Sequence, residues 1–208
     1  MPNFKEFFKY NPREPALWMY AERQDVLDWL WQAAPHKTQF DVNDDLIVFS
    51  KDDFQLEDNV ITALPVRLDT PKKLVLKMKN LQTLRGIPEG VMYGTLIIAS
   101  DKLTELDYLP YSVSSLNIID CPNVHSLHGI HDKVKRMTMI IVGEGIESSI
   151  LGLLTIKDFS GMMTNTSNSN ASLNKACQIL NAAIIHKQDL LDCKAELIEK
   201  GLSTYAKL

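Results

Sequence analysis

The sequence predicts an α+β fold, a short solenoid of stacked repeats built on a parallel sheet and flanked by helices at both ends. Three observations predict it. Aliphatic residues recur at fixed offsets from about Ile61 to Val142, turn residues separate one unit from the next, and helical patterns lie on either side of that stretch.

The offsets carry most of the weight. Leu74-Val75-Leu76 leads to Leu81, Leu84, Ile87-Pro88 and Val91. Leu96-Ile97-Ile98 leads to Leu103, Leu106, Leu109-Pro110 and Val113. Leu116-Asn117-Ile118 leads to Val124, Leu127, Ile130 and Val134. Within each unit the later positions step by 3, 3 and 4, and Leu84, Leu106 and Leu127 are spaced by 22 and 21. A partial earlier unit (Ile61, Leu64-Pro65, Leu68) fits, and a last one begins at Met137-Thr138-Met139 and degenerates by Gly143-Glu144-Gly145. A period near 22 is that of a leucine-rich repeat. One such unit cannot bury its own leucines, so neighbours must stack. Each Leu or Ile then buried contributes roughly 1.5–3 kcal/mol.

Side chains alternate across a strand. Leu74, Leu76, Leu96, Ile98, Leu116, Ile118, Met137 and Met139 are therefore expected to point inward. Val75, Lys77, Ile97, Ala99, Asn117, Ile119, Thr138 and Ile140 are expected on one outward face, which is unusually apolar. Two readings of that face compete: the chain's own helices cover it, or a partner binds there. The return segments step by three, which suits polyproline-like or 3₁₀ backbone and accommodates Pro65, Pro88 and Pro110.

The flanks divide the chain into an N-terminal helical cap (1–45), the solenoid (46–158) and a linker with a C-terminal helical hairpin (159–208). Pro15 can open the first helix, Leu17, Tyr20, Leu27, Leu30 and Trp31 follow at helical spacing, and Pro35 stops it. Trp18 and Trp29 make it apolar on more than one side. Leu46-Ile47-Val48-Phe49 reads as a short strand. Thr164–Asn170 is a polar linker, with Ser172 as the expected cap of a helix bearing Leu173, Ala176, Cys177, Leu180 and Ile184. Asp189 caps a second helix, and Gly201 is placed to end it. The hairpin is expected to cover the open end of the stack, with a dimerisation surface as the rival reading.

Leu103-Thr104-Glu105-Leu106-Asp107-Tyr108-Leu109-Pro110 with Ser114-Ser115-Leu116 resembles the short leucine-rich repeats of bacterial effector proteins. It is still more similar to the leucine-rich proteins of tailed phages, whose helical tails resemble residues 189–208. The resemblance implies a protein-binding role inside an infected bacterium. Family units place Asn two residues before the leucine that follows the strand, where this chain has Lys79, Asp101 and Pro122. Some effector relatives carry a ubiquitin-ligase domain with a Cys-x-Asp motif. Here the tail reads Cys193-Lys194-Ala195, so ligase activity is not implied.

Composition narrows the function classes. The formal net charge of −4 and pI of about 5.7 argue against broad binding to a phosphate backbone. Cys121, Cys177 and Cys193 are far apart and form no metal-type pair, which suits free, buried thiols in a reducing compartment. The N-terminus lacks a secretory apolar segment and no run is long enough to span a membrane, so a cytoplasmic location is expected.

His125, His128 and His131 fall three apart and invite a metal-assisted hydrolase reading, with an open zinc position. The simpler reading puts them in solvent slots beside Val124, Leu127 and Ile130. A surface that responds to pH is a third possibility. Gly143-Glu144-Gly145 is a turn. Asp41, Asp44, Asp45, Asp52 and Asp53 lack the glycine of a calcium loop and read as a solvated edge. Lys72, Lys73, Lys77 and Lys79 form the basic cluster, without interleaved aromatics. The leading expectation is a non-enzymatic module, without cofactor, that binds and inhibits another protein through the outward face. The alternatives are the hydrolase and a self-associating structural protein.

Overall fold

The aliphatic offsets become the rungs of an α+β parallel-β solenoid of about five turns. The computed structural model describes residues 23–34, 39–69, 72–87, 90–165 and 170–208, without the side chains of 91–93. Leu17, Trp18, Tyr20, Pro35 and most of the Thr164–Asn170 linker lie outside the described residues. Helix α1 (Arg23–Ala33) is followed by β1 (Asp41–Val42), β2 (Ile47–Phe49), β3 (Phe54–Asp58), β4 (Arg67–Asp69), β5 (Lys73–Met78), β6 (Val91–Ala99) and β7 (Ser112–Ile118). Then come a short α2 (Ile130–Lys133), β8 (Arg136–Val142), a 3₁₀ turn (Leu151–Thr155), β9 (Gly161–Thr164), α3 (Ala171–His186) and α4 (Leu190–Glu199).

Six strands pair in parallel in the order β3-β5-β6-β7-β8-β9, and β1-β2-β4 form a separate three-stranded sheet. The register turns the sequence offsets into continuous rows. Phe54, Leu74, Leu96, Leu116, Ile140 and Met162 are successive partners, as are Leu56, Leu76, Ile98, Ile118 and Val142. Every one of these side chains is buried. The return segments add Ile61, Leu81, Leu103, Val124 and Ile146, then Leu64, Leu84, Leu106 and Leu127, all within the same core.

One outward assignment is reversed. Ile140 lies wholly in the core, and Met139, expected inward, is partly exposed. The cause is register. Met137 pairs with Val113, not with Leu116, and Leu116 pairs with Ile140. Val113 and Leu116 are both buried with two residues between them, and Met137 and Ile140 repeat that spacing. The strand changes phase once inside each of these turns, and a one-residue slip exchanges the two faces. Val91 and Val113, expected to end return segments, instead belong to β6 and β7. In β6 the irregularity falls between Met92 and Thr95, where Gly94 lies directly against the Lys72 carbonyl.

The turns are tied to one another at their corners. Asn80 Nδ2 donates to the Asn59 carbonyl and Asn123 Nδ2 to the Asp101 carbonyl, each at 2.6 Å. These asparagines stand one residue before the repeat aliphatic, not two, and each links its turn to the preceding one. The buried Ser100 hydroxyl donates to the Leu81 carbonyl at 2.7 Å, and the Cys121 thiol donates to the Ile98 carbonyl at 3.5 Å. Tyr108, Asp120, Ser149 and Asp158 take left-handed backbone at other corners.

Helix α1 contacts β3, with Trp29 Nε1 donating to Asp58 Oδ2 at 3.2 Å. Helix α3 lies on β9, and α4 packs on α3 and on the 3₁₀ turn. Asn170, not Ser172, caps α3 by accepting from the Leu173 amide. Asp189 caps α4 as expected, and Gly201 takes the positive φ that ends it. No described helix is long and apolar enough to cross a membrane.

All three thiols are buried and unpaired. Burial pushes those of Cys121 and Cys193 up to about 11. The native chain is therefore expected to react slowly with an aromatic disulfide reagent, and unfolding in guanidinium is expected to release three fast-reacting thiols. A raised thiol pKa also gives stability that is whole below the ordinary value of 9.0 and is lost as pH rises through about 11. Alkaline melts followed by circular dichroism check that window.

Candidate protein-binding face

Strand alternation and the observed register define an outward face on the six-stranded sheet. Its central row runs Gln55, Val75, Ile97, Asn117, Ile141, Met163 across successive strands. A flanking row begins Glu57, Lys77, Ala99. Of the expected face residues, Lys77 and Thr138 are exposed, and Ile97, Ala99, Asn117 and Ile119 are partly exposed. Val75 keeps the outward parity but is only 7% exposed, set between its register partners Gln55 and Ile97. Ile140 is absent from the face for the reason given above. Met139, Ile141 and Met163, which sequence reasoning did not place there, take part instead, and Met163 is 53% exposed. The signal that finds Met139 and Ile141 is the repeated pair of residues between buried positions, seen first at Ser114-Ser115, and Met163 follows as the register partner of Ile141.

Among the described residues, the extensive helix contacts fall on β3, β9, the 3₁₀ turn and one another, not on the middle strands. The face is therefore an apolar strip of Ile97, Ala99, Ile119, Met139, Ile141 and Met163, broken by Asn117. Its charged members are paired. Lys77 Nζ meets Glu57 Oε1 at 3.1 Å and holds the Glu57 carboxyl below its ordinary range.

The rest of the lysine cluster is spent in the same way. Lys72 pairs with Asp52 at 2.9 Å, Lys73 with Asp53 at 3.7 Å and Lys79 with Asp101 at 3.9 Å. Asp52 and Asp53 are thus partners of the next turn's lysines. Beyond the strands' C-terminal ends lies an open groove of about 630 Å³, lined by Asp101, Asp120, Glu144 and Glu147 with His125. Its carboxylates repel a phosphate backbone.

The three histidines engage different partners. His125 Nδ1 lies 3.2 Å from the Gly145 carbonyl, and His128 Nδ1 contacts the Leu208 carbonyl. The His131 ring packs over Gly152, its Nδ1 buried without a hydrogen-bond partner among the described residues. Among the described residues, no three His, Cys, Asp or Glu side chains come together in a geometry that holds a metal ion. On the tail, Leu191 and Ile198 stay 70% and 51% exposed on one side of α4.

No known family matches this chain. No curated protein and no solved structure matches it either.

Proposed function

We propose that this protein is a non-enzymatic binding module of leucine-rich-repeat type, which docks another protein on the outward face of its six-stranded sheet. One observation carries the reading: partly exposed Ile97 and Ile141 and exposed Met163 lie in one row across the sheet, interrupted only by Asn117 on β7, with Ile119 beside it, and no described helix makes extensive contact with the middle strands. A contiguous apolar patch with paired charges at its margin has the composition of an interface core and rim. The helices at each end act as caps in this reading and leave the sheet free. The resemblance of the repeat segment to tailed-phage leucine-rich proteins makes a bacterial host protein, in the cytoplasm, the partner class to test first.

Ile97→Asp and Ile141→Asp test the face. Both side chains point away from the core, so each variant is expected to melt close to the parent while capture of a bound host protein falls at least roughly tenfold. Crosslinking followed by mass spectrometry should place the contacts on β6–β8. Capture that is indifferent to both substitutions sinks the reading.

A further inference from the structure

Strand β9 ends the six-stranded sheet, so among the described residues one side of its backbone has no strand to pair with. Such an edge is a template for another chain unless something occupies it. Here a helix occupies it with polar side chains. The Met162 amide donates to Asn181 Oδ1 at 2.9 Å, and the Met162 carbonyl accepts from Asn181 Nδ2 at 2.8 Å. One side-chain amide thus makes both of the hydrogen bonds that a seventh strand would offer this residue. The Cys177 thiol donates to the same carbonyl at 2.9 Å, and the Thr164 hydroxyl meets Asn174 Oδ1 at 2.6 Å. Asn174, Cys177 and Asn181 are spaced i, i+3 and i+7, one face of α3. The neighbouring Leu173, Ala176 and Leu180 are fully buried and already supply the packing. Apolar side chains at the three polar positions would add burial but strand the Met162 groups.

We propose that this face of α3 is an edge lock: it occupies the pairing groups of Met162 at the middle of β9 and so keeps the same edge of a second copy from adding as an antiparallel strand. The same edge is the natural occupant. Two β9 edges related by a two-fold axis satisfy each other and close, leaving no new edge to extend. The inference concerns the end of the sheet and stands independently of the face reading above.

The test is made on the full chain. Asn181→Leu keeps the side chain's size and removes both hydrogen bonds. Hydrogen exchange over residues 160–165 and sedimentation velocity across a wide concentration range are then compared with the parent. The Met162 amide is expected to exchange at least roughly tenfold faster, and the variant to form a dimer beyond any association of the parent. Unchanged exchange overturns the proposal, and so does faster exchange with sedimentation equal to the parent's. Asn181→Gln keeps the amide on a side chain well suited to helix and guards against a folding failure. It is expected to fall between parent and Leu variant in both measurements. Association of the Gln variant with Met162 fully protected overturns the proposal.

Discussion

Gly94→Ala is expected to prevent stable folding, with a loss above about 4 kcal/mol. A Cβ on residue 94 would stand 1.2 Å from the Lys72 carbonyl oxygen, 2.3 Å from its carbon and 3.0 Å from its Cα. No rotamer relieves this, because the obstacle is backbone. The same carbonyl accepts the Thr95 amide at 2.8 Å, so separating the chains breaks the first rung between β5 and β6. The damage falls in the middle of the sheet, where each turn depends on both neighbours. Circular dichroism and thermal melts of the purified variant check it. A cooperative melt within a few degrees of the parent would show that the close approach of β6 to β5 is wrong.

The second large effect separates two adjacent residues. Ile140→Ala is expected to cost about 2–5 kcal/mol, and Met139→Ala less than about 1 kcal/mol. Ile140 is fully buried in the row between Leu116 and Met162, so truncation leaves a cavity. Met139 lies on the outward face beside Ser115, where truncation opens no void. Denaturant titrations of the two variants give the difference directly, and the opposite order would restore the simple alternation of the strand.

That pair shows where the sequence could be read and where it could not. The spacing of Leu84, Leu106 and Leu127 was enough to expect a stack, because aliphatic side chains one turn apart must share an interior. The face followed from alternation wherever a strand was regular, as at Leu96 to Ala99. It failed at Met139 and Ile140, because a strand that changes phase conceals the change until its neighbour's register is known. Strand β3 was hidden for another reason. Phe54-Gln55-Leu56-Glu57-Asp58 follows Asp52 and Asp53, and the acids drew the reading toward a solvated edge. The structure shows them as partners of lysines one turn later. Likewise, Asn80 and Asn123 make the inter-turn bonds from a position one residue away from where the resemblance looked for them. The role of Asn181 was not legible, since a lone amide on a helix says nothing about the strand beneath it.

The corners have a consequence for how such a surface can change. From Phe54 through Leu74, Leu96, Leu116 and Ile140 to Met162 the successive turns run 20, 22, 20, 24 and 22 residues, and left-handed bends such as Tyr108, Asp120 and Ser149 stand between strands whose pairing continues past them. Substitutions on the outside of the sheet can therefore accumulate one by one, each altering the chemistry of the surface, with the frame beneath left intact. An added residue is expected to be absorbed at a bend, or at an irregularity such as the one between Met92 and Thr95 in β6. A changed surface in this architecture comes from repainting a fixed wall, not from moving it.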